Sequence, residues 1–376
     1  MTEKQQRTYI DIHVLQTVPP SNLNRDDTGS PKTAIYGGVR RARVSSQAWK
    51  KATRDAFPDV LDSRELGVRT LHVVDLIAES IAEQAQDLTE QSHDIAQKVL
   101  EAIGIKLTKP RKTKEGEESE SVSGYLIFLS NLQVKNLASL ACGSVRSGEP
   151  LDKKALKAAA DTSHSIDVAL FGRMIADAAD LNVDAAAQVA HAISVHPVDN
   201  EFDYFTAMDD RSPEDNAGAG MIGTVEFNSS TLYRYATVNV EHLRENLGTA
   251  EATNAAIAAF LRAFLTSMPS GKQNTFANRT LPDAILVTIR DDQPVNLSGA
   301  FEEAITATAS GKRLAHASTR LATRVKETDA AYGEHRVATF VVRVGEATSA
   351  LTETGQEVSL DGMIDRVINT ISERLD

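Results

Sequence analysis

The sequence predicts an α+β protein. Alternating apolar and polar positions mark strands near both ends of the chain, at Tyr9 to Leu15 and at Arg336 to Val344. Between them, Leu61 to about Leu181 carries mostly helical periodicity, which predicts a sheet interrupted by helical material rather than regular strand–helix alternation. With 376 residues, 41% of them hydrophobic, the chain can fill one large or two ordinary domains.

In chain order, Tyr9 to Leu15 reads as a half-buried strand and Val39 to Val44 as a second, short one. Ser45 or Ser46 is placed to cap a helix over Gln47 to Phe57, with Ala48, Trp49, Ala52 and Ala56 at helical spacing and Pro58 as the stop. Leu66 to Ala85 and His93 to Ile103 read as amphipathic helices. "KPRKTKEGEESESVSG", Lys109 to Gly124, is charged and poor in apolar residues and reads as a mobile surface loop. Helical patterns resume over Leu126 to Ala141 and Lys153 to Ala160. Extended patterns return at Gln188 to Val195, Gly223 to Phe227, Leu232 to Val240 and Ala284 to Arg290. Helices are expected near Ala250 to Ser267, Ser298 to Thr308, Lys312 to Lys326 and Asp361 to Arg374.

No run of about 18 apolar residues appears, so no membrane span is expected, and MTEKQQR leads directly into the first strand without a signal-peptide pattern. The single Cys142 excludes an intramolecular disulfide and a Cys-rich zinc site, which suits a reducing compartment; a cytoplasmic location is expected.

Charge is unevenly spread. The formal net charge is -12, yet from Thr28 to Arg54 there are seven basic residues and no acid: Lys32, Arg40, Arg41, Arg43, Lys50, Lys51 and Arg54. A solvated face is the ordinary account of such a run, but a local basic groove in an acidic protein can bind a phosphate chain. Arg40 and Arg41 are neighbours on an expected strand and must face opposite ways. Ser45, Ser46 and Gln47 at the following helix start would add hydroxyl, amide and backbone N–H donors where a helix favours anions.

The second unusual stretch is "HPVDNEFDYFTAMDDRSPEDNAGAGMIG", His196 to Gly223. A loop this long is functional or disordered more often than filler. Phe202, Tyr204, Phe205 and Met208 need a partner there: the protein's own core, a neighbouring subunit, or unstacked bases. Gly218, Gly220 and Gly223 match G-x-G-x-x-G, but a strand follows where a dinucleotide site needs a helix, so the glycines read as hinges. Gly271-Lys272 and Gly311-Lys312 lack the rest of a phosphate-binding loop. His191, His196 and Asp199, and the pair Asp209-Asp210, read as ordinary strand and loop residues rather than metal ligands. No catalytic residue, metal or cofactor is expected.

Several segments carry a resemblance. "IDIHVLQTVPPSNLNRDDTGSPKTAIYGGVRRARVSSQAWKKATR", "RTLHVVDL" (Arg69 to Leu76), "IDVALFGRM" (Ile166 to Met174), "VAHAISVHPVDNEFDYFTAMDD" (Val189 to Asp210), "TLYRYATVNVEHLRENLG" (Thr231 to Gly248) and "GKQNTFA" (Gly271 to Ala277) follow one another at family-like spacing. Together they resemble the CasC-type backbone subunit of the type I-E CRISPR interference complex, Cascade. The likeness is weak over Gln84 to Glu120 and the last sixty or so residues, where no role is transferred.

The resemblance implies a hand-like protein with a modified RRM-like (ferredoxin-like) palm at 1–60, 182–195 and 224–376, helical fingers at 61–181, and a β-hairpin thumb at 196–223. It implies a subunit that polymerises along CRISPR RNA in an antiviral complex, holding the guide extended for pairing with target DNA. Its partners would be the guide, adjacent copies of itself and the other Cascade subunits. The thumb of one copy would push a guide nucleotide out of the stack at regular intervals. Such a subunit accepts any guide sequence, so it must hold phosphates and sugars and leave base edges free. By similarity RNA contacts fall on Asn24, Arg25, Ser45, Gln47, Lys50, Arg54, Arg173, Met174, Lys272 and Gln273, with Arg43 and Ser46 added from the basic run itself. The wedge and inter-subunit contacts fall on Phe202, Tyr204, Phe205 and Met208. Trp49 replaces a smaller aliphatic residue and reads as core; Tyr204 stands where a tryptophan is expected. Two other readings stay open from the residues alone: a guide-processing or target-cutting ribonuclease, and a stand-alone single-stranded RNA-binding protein.

Overall fold

The computed structural model describes residues 7–108, 121–207, 221–306 and 312–375. It is α+β and separates into two compact units, one of residues 1–56, 188–239 and 260–376, the other of 57–187 and 240–259.

The first unit is organised by a ten-stranded sheet. Its strands are β1 (Tyr9–Ser21), β2 (Thr33–Tyr36), β3 (Val39–Val44), β4 (Ala187–Val189), β5 (Ala192–Ser194), β6 (Glu201–Ala207), β7 (Met221–Asn239), β8 (Ala284–Arg290), β9 (Arg336–Arg343) and β10 (Gln356–Glu357). They lie in the order β10-β9-β8-β1-β7-β5-β3-β2, with β4 and β6 paired to β7 off this path. Pairing along the path is antiparallel except between β9 and β10.

β1 is buried on both faces rather than half-buried as its alternation suggests. Ile10, Ile12 and Val14 fill one face; on the other, Leu15 joins Tyr233, Tyr235, Leu286, Phe301, Leu321 and Val325 in one apolar cluster. The polar members of that face are buried because each has partners. Asp11 accepts from the Tyr235 hydroxyl at 2.7 Å and from the Val295 amide at 2.8 Å, and His13 Nδ1 meets the Tyr233 hydroxyl at 2.9 Å. Burial pushes the Asp11 carboxyl up to about 6 and the His13 imidazole down to about 3.

The second unit is mainly helical. Helices Val73–Gln84, Ser92–Ala102, Asn131–Ser147 and Lys153–Asp161 pack Ile77, Ile81, Val99, Leu100, Leu137 and Leu156 into one core, with Cys142 among them. Ser130 and Gln133 form a reciprocal cap at the head of the third helix, at 2.9 and 3.0 Å. Two sequence expectations change here. Gly67–Thr70 and Ile127–Ser130 are paired strands where helix was expected, and Val122–Ser123 pairs with Leu107–Thr108 at the edges of the stretch read as a mobile loop. Residues 109–120 lie outside the described residues.

In the first unit, the helix expected over Ser298 to Thr308 is a short 3-10 turn at Leu297–Phe301. The segments expected at Gly223 to Phe227 and Leu232 to Val240 are the single strand β7. No helix among the described residues is long and apolar enough to cross a membrane.

Candidate nucleic-acid interface

The basic run divides at Ser45. Before it, in β3, Arg41 and Arg43 turn inward. Arg41 is fully buried and donates to four backbone carbonyls: Tyr36 at 3.2 Å, Ser194 at 2.9 Å, and Phe301 and Glu302 at 3.0 Å each. Arg43 donates Nε to the Thr33 carbonyl at 3.2 Å and lies 3.1 Å from His191 Nδ1. Arg40, facing the other way, is exposed. The β2–β3 turn is held close to the Phe301–Glu302 backbone: a Cβ on Gly37, at φ +59°, would come within 1.6 Å of the Glu302 carbonyl oxygen, so glycine is required there.

After Ser45 the chain becomes helix α1 (Ser46–Ala56), which buries Trp49, Ala52 and Thr53. Ser45, rather than Ser46, is the cap, its Oγ accepting from the Ala48 amide at 3.3 Å. Trp49 is core, as its apolar spacing suggests. The Arg234 guanidinium lies 3.6 Å from its ring centroid and 4.4 Å from that of Phe264, and burial pushes Arg234 down to about 9. Gln47, Lys50 and Arg54, at positions i, i+3 and i+7, therefore share the ridge away from the core, with Gln47 exposed and the two bases half-buried. Ser46 lies at the ridge's head, its hydroxyl 3.4 Å from Gln47 Oε1.

The helix start is fastened to the loop after β1. Asn24 Oδ1 accepts from the Ser45 amide at 2.9 Å, and the Asn24 carbonyl accepts from Lys32 N–H at 2.8 Å. The loop is closed by an Arg25–Pro31 bridge and by Asp26, whose Oδ1 takes the Thr28 hydroxyl at 2.7 Å and the Thr28 and Ser30 amides at 3.0 Å each. The Thr28 hydroxyl is the chief reason the Asp26 carboxyl sits below the usual range. Arg25 is exposed beside it.

A third segment meets this loop at Gly271. A Cβ there would fall 2.3 Å from the Leu23 carbonyl oxygen and 2.6 Å from that of Asn22, so only glycine lets the two backbones touch. Lys272 and Gln273 follow, Lys272 in the left-handed region at φ +50°. Leu23 to Gly29 and Gly271 line an open cleft of about 530 Å³. Asn24, Arg25, Ser45, Lys272 and Gln273, distant in sequence, are thus brought to one neighbourhood of the first unit.

β6 and β7 form an antiparallel hairpin from Glu201↔Phe227 to Ala207↔Met221. Phe202 and Tyr204, on one face, are 68% and 62% exposed. Phe205, on the other, lies across Gly223, where a Cβ would meet its ring at 2.4 Å, and is 37% exposed. Met208, Asp209, Asp210, Gly218 and Gly220 lie outside the described residues.

Arg173 and Met174 belong to the second unit. The Arg173 side chain is buried, donating to the Leu181 carbonyl at 2.7 Å and the Ala160 carbonyl at 3.0 Å and pairing with Asp161 at 3.4 Å. Its guanidinium is engaged inside that unit, and Met174 beside it is 79% exposed. Both ring nitrogens of His196 are also engaged: Nδ1 donates to the Pro197 carbonyl at 2.7 Å and Nε2 accepts from the Thr231 amide at 3.1 Å. Burial first, then Arg313 and Arg41, lower its imidazole to about 4.

Fold and site together describe an α+β protein presenting a basic helix ridge, a polar cleft and an aromatic hairpin. The chain belongs to the CT1975-like protein family, whose model matches residues 10–369. Two solved structures are similar over nearly all of it. A chain of a CRISPR RNA-guided surveillance complex in a pre-nicking state is 34% identical with a TM-score of 0.82, covering 95% of this chain and 99% of its own. A chain of another CRISPR RNA-guided surveillance complex is 30% identical with a TM-score of 0.72, over the same shares. Among curated proteins no match is found.

Proposed function

We propose that this chain is the CasC-type backbone subunit of a type I-E Cascade complex, a non-catalytic protein that polymerises along CRISPR RNA and holds the guide for pairing with target DNA. The observation that carries the reading is the end-to-end similarity to a chain of an RNA-guided surveillance complex, 34% identical over 95% of the sequence. In this reading the first unit is an RRM-like palm, the β6–β7 hairpin the thumb, and the second unit the fingers. The sugar–phosphate chain would run past Asn24, Arg25, Lys272 and Gln273 and along Gln47, Lys50 and Arg54. These residues offer amide and cationic donors, which suit the sugar–phosphate contacts that a holder of arbitrary sequences requires. Filament contacts are heterologous and propagate until the RNA ends or another subunit caps them.

The test is to express the tagged chain with its partner subunits and sequence the nucleic acid that co-purifies. Short RNAs with constant repeat-derived flanks and varied spacers are expected, on a multimer. A monomer carrying no RNA, or RNA cleaved by the purified chain alone, would overturn the proposal.

A further inference from the structure

Glu226 lies at the foot of the β6–β7 hairpin, opposite Phe202. Its two carboxylate oxygens are used by different segments: Oε1 accepts from the Ser30 hydroxyl at 2.9 Å and Oε2 from the Asn200 side-chain amide at 3.0 Å. Its backbone carbonyl accepts from Asn22 Nδ2 at 2.9 Å, and the same amide group donates to the Gly29 carbonyl at 2.9 Å. Asn228, two residues on and therefore on the same face, donates to Asn200 Oδ1 at 3.1 Å. Phe227, on the opposite face, leans on Phe276 with ring centroids 5.6 Å apart, and Phe276 closes the segment that carries Lys272 and Gln273.

The location gives these bonds their consequence. β1 accompanies β7 only as far as Ser21↔Asn228; beyond that β7 pairs with β6 alone. A two-stranded ribbon is marginal and free to bend at its base unless something fixes it. Here the ribbon is tied to the Asn22–Ser30 loop by the Ser30 bond to the Glu226 carboxylate beside the Asn22 bond to its backbone carbonyl, and the carboxylate's other oxygen holds Asn200 at the start of β6.

We propose that Glu226 is a positioning residue whose carboxylate couples the direction of the hairpin to the loop carrying Asn24 and Arg25, so that hairpin and cleft move as one body. The consequence for RNA rests on the function proposed above: the coupling sets where along the guide the hairpin falls relative to the phosphates held in the cleft.

Glu226→Ala removes both carboxylate bonds and leaves the Asn22 bond to the backbone carbonyl in place. Glu226→Gln keeps both side-chain bonds, because its oxygen can accept from Asn200 while its amide donates to the Ser30 oxygen. Two measurements separate coupling from function. In the free protein, hydrogen exchange at 201–206 and 225–227 should be about tenfold faster in the alanine variant, with β1 and β8 unchanged and the glutamine variant close to wild type. In the complex assembled with partner subunits, the alanine variant should retain guide RNA while the contrast between protected and reactive nucleotides falls, again rescued by glutamine. Unchanged hairpin exchange, loosening spread equally through β1 and β8, or failure of glutamine to rescue overturns the coupling. A loosened hairpin with an unaltered RNA pattern overturns its part in guide geometry. A wild-type complex without guide RNA sinks the function proposed above and leaves the exchange experiment to judge the coupling by itself.

Discussion

β3 and α1 follow one another in sequence and carry three basic residues each, yet they use their charge in opposite ways. In β3, Arg41 and Arg43 spend their guanidinium groups on backbone carbonyls and a histidine, knitting β2, β5 and the 297–302 turn together. In α1, Trp49 and Ala52 take the buried side, so Lys50 and Arg54 are left on the outer ridge. The difference lies in what surrounds each side chain. Around β3 the ends of β2 and β5 and the 297–302 turn offer carbonyls that a planar, five-donor cation can satisfy, whereas a helix interior has satisfied its own. Basic composition alone therefore does not locate a nucleic-acid surface.

The sharpest way to break this contrast is Arg41→Ala. It leaves four buried or half-buried carbonyls without their donor and should lower unfolding stability by about 3 kcal/mol or more, since bonds to charged groups contribute roughly 1.5–3 kcal/mol each and do not add fully. Arg41→Lys should recover little, because one ammonium cannot span four acceptors in a fixed fork. Denaturant unfolding measures both. A loss under about 0.5 kcal/mol in the alanine variant would make β3 as expendable to folding as the α1 ridge.

The next effect belongs to the same buried side. His196 stands near Arg41 and Arg313 and is lowered from near 6.5 to about 4, chiefly by burial. Between those pH values the unfolded chain holds a proton that the folded one refuses, so stability falls as pH falls, by about 1.4 kcal/mol per unit within that window. His13, lowered to about 3, acts in the same direction, and Asp11, raised to about 6, acts oppositely. The measurement is accordingly a difference: the stability advantage of wild type over His196→Gln should shrink by about 2 kcal/mol from pH 6.5 to 4.5. A flat difference would mean that the folded chain takes up the proton as readily as the unfolded one, so that burial and the Thr231 bond do not hold the imidazole neutral.

On the α1 side, Lys50 and Arg54 are half-buried, and reversing them to Glu should cost less unfolding stability than Arg41→Ala, because neither guanidinium nor ammonium is fully enclosed. Guide-RNA affinity should drop by one to two decades at moderate salt, almost equally for unrelated spacers. The log–log salt slope should flatten by about 0.7 for each phosphate the variant no longer neutralises. Spacer-dependent losses would contradict a backbone clamp.

What the sequence reveals follows the same division. Elements whose signal is local were legible: β1 from alternation, α1 from its cap, spacing and the proline after it, and the arginine pair from strand geometry. Elements that exist through distant pairing were not. Gly67–Thr70 is a strand because Ile127–Ser130 lies beside it, and β7 runs through Asn228-Ser229-Ser230 because β1 carries it across at Val18↔Ser230 and Ser21↔Asn228. At the candidate site, Asn24, Ser45 and Lys272 were found by resemblance, but their meeting depends on Gly271 touching the Asn22–Leu23 backbone, which no periodicity encodes. Nor does the motif around Arg173 show the carbonyls that enclose its guanidinium, which lie outside it at Ala160 and Leu181. Glu226 gave no signal, because it stands at a polar position of the regular alternation Thr224-Val225-Glu226-Phe227, where an acid is ordinary.

The smallest expected effect decides what the contrast is really about. Arg40 lies on β3 but is exposed, so it separates the influence of the element from that of accessibility. Arg40→Gln should change unfolding by less than about 0.5 kcal/mol, because its guanidinium closes no buried carbonyl. If the phosphate path follows Asn24 and the α1 ridge, guide affinity should fall less than threefold and the salt slope should keep its value, since removing a cation that neutralises a single-strand phosphate would cost about 0.7 of slope. Titrating guide RNA at three salt concentrations beside Lys50→Gln provides the control with the same loss of charge. Equal losses for Arg40 and Lys50 would move the phosphate path onto the outer face of β3. The dividing line would then be exposure alone, and the inward turn of Arg41 would be the exception in a continuous basic surface.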